Sequence, residues 1–189
     1  MAAQTWYNTH MKTLAIHLRP ETASHRRRTV AELSEFGQLS DLTPADEADL
    51  KRLVGQLAPD AVTDFSALRS SIRGGTTSVF VLRCRSRIVA SATAVRFSTP
   101  TGRHCRIEDV VVDGRMRGRG LGRKIMENTL AVLRETGVAR IELTSHPSRV
   151  AARALYRSLG FKPRKTGVFE LATDWHVKGR IRRGVLNER

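Results

Sequence analysis

A chain of 189 residues is long enough for one compact domain with a full core and too short for two ordinary ones. With 40% hydrophobic residues, 5% aromatics, 14 Gly and 6 Pro it lies outside the collagen-like, low-complexity and wholly disordered classes. The 33 Lys and Arg against 18 Asp and Glu give a net charge of +15, which favours anionic partners.

In chain order, Met1 to Arg28 reads as a basic N-terminal extension without a fold of its own, ending in the run His25 to Arg28. Thr29 to Leu42 mixes Val30, Leu33, Phe36, Leu39 and Leu42 without clean alternation, and a strand is expected near its end. Thr43-Pro44-Ala45-Asp46 is an N-cap followed by proline at the first helical position, with Leu50, Leu53, Val54 and Leu57 at helical spacing behind it. A second short helix is expected over Asp64 to Ile72, stopped by Gly74-Gly75. Ser78 to Arg83 and Arg87 to Phe97 are β-branched or alternating, with Arg85-Ser86 between them, and predict a hairpin.

A third strand, Cys105 to Val112, follows the turn Pro100-Thr101-Gly102 and leads through a basic, glycine-rich loop into a helix over Leu121 to Thr136, with Gly137 as its stop. Ala139 to Thr144 predicts a strand, Ser148 to Leu159 a helix ended by Gly160, and Gly167 to Leu171 a closing strand. Antiparallel strands followed by a β-α-β-α-β tail imply an α/β sandwich on a mixed sheet. Thr173 to Arg189 is a basic C-terminal tail, which leaves 29–172 as the folded domain.

No run reaches the roughly 18 consecutive apolar residues of a membrane span, so no membrane partner is expected. Two cysteines, Cys84 and Cys105, without a signal-peptide pattern point to a reducing, cytoplasmic setting. Cys84, Cys105, His104 and His146 lack the spacing of a zinc site, and no metal is expected.

The chemistry concentrates in Arg117-Gly118-Arg119-Gly120-Leu121-Gly122, between a strand and a helix. Glycine at alternate positions lets backbone N–H groups approach an anion, and the helix N-terminus adds its dipole, as a pyrophosphate requires. The spacing is G-x-G-x-G, so it meets neither the dinucleotide fingerprint nor the P-loop pattern.

These residues resemble the GNAT superfamily of acetyl-CoA-dependent N-acetyltransferases. The match is R/Q-x-x-G-x-G/A at Arg117 to Gly122, preceded by Ile107-Glu108-Asp109-Val110-Val111-Val112 and followed by Ala154-Leu155-Tyr156-Arg157-Ser158-Leu159-Gly160-Phe161. The resemblance implies a mixed, largely antiparallel α/β sheet flanked by helices, with splayed central strands forming a CoA cleft. It implies acetyl-CoA as cosubstrate, with Arg117, Gly118, Arg119, Gly120, Leu121, Gly122 and Arg123 around the pyrophosphate. Main-chain groups of Val110, Val111 and Val112 would then meet the pantetheine arm.

By the same resemblance Glu108 is the candidate general base, with an ordinary salt-bridged glutamate as the alternative and His146 as a second base. Tyr156 is the candidate general acid toward the CoA thiolate, or an aromatic that only packs beneath the cofactor. Alternation places Asp109 on the strand face opposite Glu108. Arg149 either reaches a CoA phosphate or faces solvent. Arg83, Arg85, Arg87, Arg96 and Arg103 either bind an acidic acceptor or form a solvated strand face.

The function expected is acetyl transfer to a primary amine in a ternary complex, with a small-molecule acceptor favoured over a protein and a homodimer allowed. The competing readings are a nucleic-acid-binding module, disfavoured by few aromatics and scattered charge, and a CoA-binding sensor without turnover.

Overall fold

The computed structural model describes residues 34–171. The basic extension over 1–28 and the tail over 173–189 lie outside the described residues.

The strand expected before the first helix is β1, Glu35–Leu39. Helix α1, Pro44–Leu57, begins as its sequence dictates: the Thr43 hydroxyl accepts from the Asp46 amide, and the Asp46 carboxylate accepts from the Thr43 amide. Such a cap contributes about 1 kcal/mol. Helix α2, Phe65–Arg73, is capped by Asp64. Strands β2, Thr77–Cys84, and β3, Arg87–Thr99, form the expected hairpin, with Arg85 and Ser86 both left-handed at its two-residue turn (φ 48° and 67°). Strand β4, Gly102–Val112, precedes a short 3-10 turn at Gly114–Met116 and helix α3, Leu121–Arg134. Strand β5, Arg140–Leu143, and helix α4, Val150–Ser158, complete the regular elements.

The sheet order is β1-β2-β3-β4-β5, antiparallel throughout except for the parallel β4–β5 pair. This is the mixed, largely antiparallel sheet the resemblance implies. Alternate residues of β2 serve opposite cores: Val79 and Val81 meet Leu50 and Leu53 of α1, while Phe80 and Leu82 share a cluster with Leu121, Ile125, Met126 and Leu133 of α3. On the α3 face, Ala90, Ala92 and Ala94 keep β3 low, so the helix packs closely and Ile125 and Met126 are fully buried.

The closing strand expected over Gly167 to Leu171 does not form. That stretch pairs with no strand among the described residues, and Val168, Phe169 and Leu171 are largely exposed. Val168 and Phe169 supply strand propensity alone, and a strand needs a partner and a face to bury.

Candidate active site

Strand β4 pairs with β5 only over His104–Ile107, and from Glu108 onward its β5 side has no strand partner among the described residues. Toward β3 the register shifts: Thr93 faces Glu108 and Ser91 faces Val111, so Asp109 and Val110 together oppose Ala92. This is a bulge of one extra residue, with Asp109 left-handed at φ 49°. Aspartate tolerates that conformation better than most residues.

The bulge corrects the alternation argument. Ile107, Val110 and Val112 all pack toward α3, and Val111 packs toward α1, so the residue pair Glu108-Asp109 stands between two α3-facing positions. Asp109 is not simply opposite Glu108, whose carboxyl feels the Asp109 charge.

Burial raises the Glu108 pKa above the usual carboxylate range, opposed by Arg106 at 3.8 Å and reinforced by the negative charges of Asp109 and Glu142. Glu142 in turn receives Arg106 at 2.9 Å and stands near Arg140 and Arg164, so the paired end of β4 and β5 is held by an ionic cluster. The Glu108 side chain itself remains 40% exposed. It is a carboxylate reachable from solvent and biased toward holding a proton, as a general base requires.

Beyond Val112 the chain enters the glycine-rich loop. Gly118 and Gly120 are left-handed (φ 74° and 79°), and Gly120 is the N-cap of α3, with no side chain to cap it. The first-turn amides therefore have no cap acceptor, an arrangement that an anion can complete. A Cβ at Gly122 would meet Leu155 at 3.4 Å and Val112 at 3.8 Å, so this glycine also lets α3 approach α4 and β4. The donor set fits a pyrophosphate.

The other loop residues divide by role. Leu121 is buried in the core and can offer only its backbone. Arg117 Nε donates to the Val112 carbonyl at 3.2 Å, which engages one main-chain group of the Val110 to Val112 run. Arg123 is tied to Glu127 and to the Ser158 hydroxyl. Arg119 makes no salt bridge among the described residues.

Tyr156, on α4, is 9% exposed and packs edge-on against Phe161 with ring centroids 6.0 Å apart. Burial pushes its phenol above the ordinary tyrosine value, against the pull of Arg149. It is therefore protonated at neutral pH, and its hydroxyl has no hydrogen-bond partner among the described residues.

The other candidate residues have partners within the fold. Arg149 is exposed, and its guanidinium donates to the Leu57 carbonyl at the end of α1, at 2.8 Å. Arg83 and Arg87 are paired with Asp46 and Asp49 of α1, with Arg87 still exposed to solvent. Arg96 is held by the Ser78 hydroxyl and the Gly75 carbonyl. His146 Nδ1 is engaged by Ser148, whose amide donates to it at 3.2 Å. Cys105 is buried and its thiol is pushed up by that burial, so it stays protonated.

One brace has no counterpart among the expected residues. Arg52 of α1 bonds Asp113 and donates to the Ile88 carbonyl at 2.8 Å, while Gln56 accepts from the Gly114 amide at 2.7 Å. Their spacing of four residues on one helix face was the available signal. They fix the start of the segment that runs from β4 to the glycine loop.

Residues 47–161, more than half of the chain, match the family model described as Acetyltransferase (GNAT) family. The chain belongs to this family. Its members are acetyl-CoA-dependent acyltransferases, and the enzymatic class expected from the sequence holds. The chain is 31% identical over 147 residues to "Probable glucosamine 6-phosphate N-acetyltransferase 2" of Oryza sativa subsp. japonica, covering 76% of this chain and 79% of that protein. It is 31% identical over 122 residues to human "N-acetyltransferase 8B", covering 63% of this chain and 51% of that protein. The structure is similar in fold to an aminoglycoside acetyltransferase from an uncultured soil metagenomic sample in complex with sisomicin. The TM-score is 0.67 at 18% identity, with 76% of this chain and 98% of the other covered. No described helix is long and apolar enough to cross a membrane.

Proposed function

We propose that this GNAT protein transfers the acetyl group of acetyl-CoA to a primary amine of a small acceptor, by direct attack in a ternary complex. The observation that carries the reading is the parting of β4 from β5 at Glu108, which leaves a solvent-reachable carboxylate of raised pKa beside an unpaired stretch of strand.

The amides of Gly118 to Arg123 take the pyrophosphate, and the unpaired main chain of Val110 and Val111 meets the pantetheine arm. An amide released by the Asp109 bulge stabilises charge on the thioester oxygen. Glu108, directly or through water, removes the proton from the acceptor ammonium. The amine nitrogen then forms the new C–N bond as the C–S bond breaks, Tyr156 gives its proton to the departing sulfur, and the second proton leaves the nitrogen for solvent, from which the Tyr156 phenolate is reprotonated.

Initial rates against pH, with acetyl-CoA and an amine panel that includes glucosamine 6-phosphate and an aminoglycoside, test both roles. Glu108→Gln should remove the acidic limb of the kcat/KM profile and recover activity at high pH. Tyr156→Phe should lower kcat roughly 10- to 100-fold with CoA affinity intact. Wild-type rates and profiles in both variants would reject the assignment.

A further inference from the structure

The ionic cluster beside Glu108 holds more cations than anions. Arg106 and Glu142 are register partners on β4 and β5, and Glu108 lies two residues further along β4. Ile107, Ile141 and Leu143 alternate with them and pack on the α3 core, so Arg106, Glu108, Arg140 and Glu142 share the opposite face of the sheet. On that face Glu142 meets Arg106 at 2.9 Å, Arg140 at 3.5 Å and Arg164 at 3.8 Å. Arg106 also stands 3.8 Å from Glu108, so the side chains converge on one site.

Three guanidinium groups thus face two carboxylates. Only Arg106 hydrogen-bonds Glu142, and Arg140 and Arg164 donate to nothing among the described residues. Asp109 adds its charge to the field at Glu108 but makes no ion pair among the described residues. One positive charge in the cluster is unmatched at rest, and two are unmatched once Glu108 has taken a proton. Arg106, Arg140 and Arg164 are each about half exposed, so a ligand reaches them from solvent.

This surplus selects what approaches Glu108. An ammonium with a neutral or cationic tail docks beside unmatched guanidinium groups, a like-charge encounter. An ammonium with an anion attached meets Glu108 at one end and arginine at the other. Guanidinium forks suit carboxylate and phosphate alike. About 7 Å of strand separates Glu108 from the Arg106–Glu142 register position, a span that one small molecule covers. We propose that the acceptor is an amine that itself carries a carboxylate or a phosphate, with Arg140 and Arg164 holding the anion while Glu108 receives the ammonium. The inference rests on the acetyl-transfer reading and adds the chemical class of the acceptor.

The test compares matched amines on the full chain with acetyl-CoA: 3-aminopropyl phosphate against 3-aminopropanol, and 4-aminobutyrate against 4-aminobutyramide. Calorimetry follows binding of each amine to the CoA-saturated protein in parallel. The anionic member of at least one pair should exceed its neutral partner at least about tenfold in kcat/KM and in affinity, the scale of one charge-assisted contact. The ratio should shrink as salt rises. Arg164→Gln should lower it about fivefold, as an exposed ion pair allows. Arg164 is exposed in an irregular run, so this variant keeps the fold, and Arg140→Gln repeats the measurement from β5. A larger ratio for phosphate or for carboxylate names the anion, and either supports the class. An anion preference in binding, without acetyl transfer to any amine, retains the class and rejects the transfer reading. Equal affinities within both pairs, or ratios unchanged in both variants, overturn the proposal whatever the transfer rates.

Discussion

Arginine has opposite fates on the α1 shoulder and in the glycine loop. On the shoulder, Arg83 meets Asp46 at 2.5 Å, Arg87 meets Asp49 at 2.6 Å, and Arg52 and Arg69 meet Asp113 and Glu47. In the loop Arg115, Arg117 and Arg119 make no salt bridge among the described residues. The net charge of +15 is thus not a uniform coat. One region uses arginine to hold a helix on a sheet, and the other leaves it without a carboxylate.

The largest effect that sharpens this contrast belongs to Asp49→Asn. Asp49 is buried, accepts from Arg87 at 2.8 Å and from the Ile88 amide at 2.9 Å, and stands 3.4 Å from Arg52. Losing its charge leaves Arg87 without a carboxylate and removes one of the two carboxylates beside Arg52. The expected cost is about 3 kcal/mol in urea denaturation, reduced from a fully buried pair because both arginines reach solvent. CoA affinity of the folded fraction should not change. A loss of CoA affinity equal to the loss of stability would show that the shoulder and loop are one unit.

The shoulder also shows where local signals end. Thr43-Pro44, Asp64 and Arg85-Ser86 announced their caps and turn, because those conformations are fixed by residues within four positions. The glycine loop was legible for the same reason. The ion pairs were not: Asp46 and Arg83 are 37 positions apart, and only the excess of acids in Ala31 to Asp60 hinted that a basic strand would be needed to cover them. The Asp109 bulge was hidden because Val110-Val111-Val112 reads as uninterrupted strand, and the extra residue appears only when β4 is counted against β3. The missing strand at 167–171 is the converse, a good local pattern without a partner to pair it.

Next in size is Gly120→Asp, which acts on the loop alone. Asp keeps the left-handed N-cap accessible but puts a carboxylate where phosphate oxygens should lie. Wild type at a CoA concentration 100 times Kd should gain about 2.7 kcal/mol, seen as a raised Tm. In Gly120→Asp that gain should vanish while the unliganded Tm stays near wild type. A full CoA-induced shift in the variant would remove the loop from the cofactor site.

The smallest effect is the sign of the pH dependence. On the shoulder, burial pushes Asp46 and Asp49 upward, but hydrogen bonds and charge from Arg83 and Arg87 outweigh it, and both lie below the ordinary aspartate value. The unfolded chain therefore binds protons first as pH falls. Their contribution is present above pH about 4 and is lost below it, as pH drops through the folded values. Glu108 and Asp109 have the reverse sign: burial raises both, so the folded chain holds the protons more tightly. Their contribution is present below the ordinary carboxylate range and is lost as pH rises through the folded values. The Glu108 side chain is 40% exposed and Asp109 is exposed, so solvent screens both shares and keeps the effect small. Urea unfolding from pH 3 to 7 should therefore show stability rising slightly as pH falls from neutrality, then dropping below about pH 4. Asp49→Asn should flatten the drop and keep the rise, whereas Glu108→Gln combined with Asp109→Asn should remove the rise and keep the drop. If both variants changed the same limb, the site carboxylates would be paired scaffold groups like those on α1, and the raised pKa that recommends Glu108 as a base would have no basis in the fold.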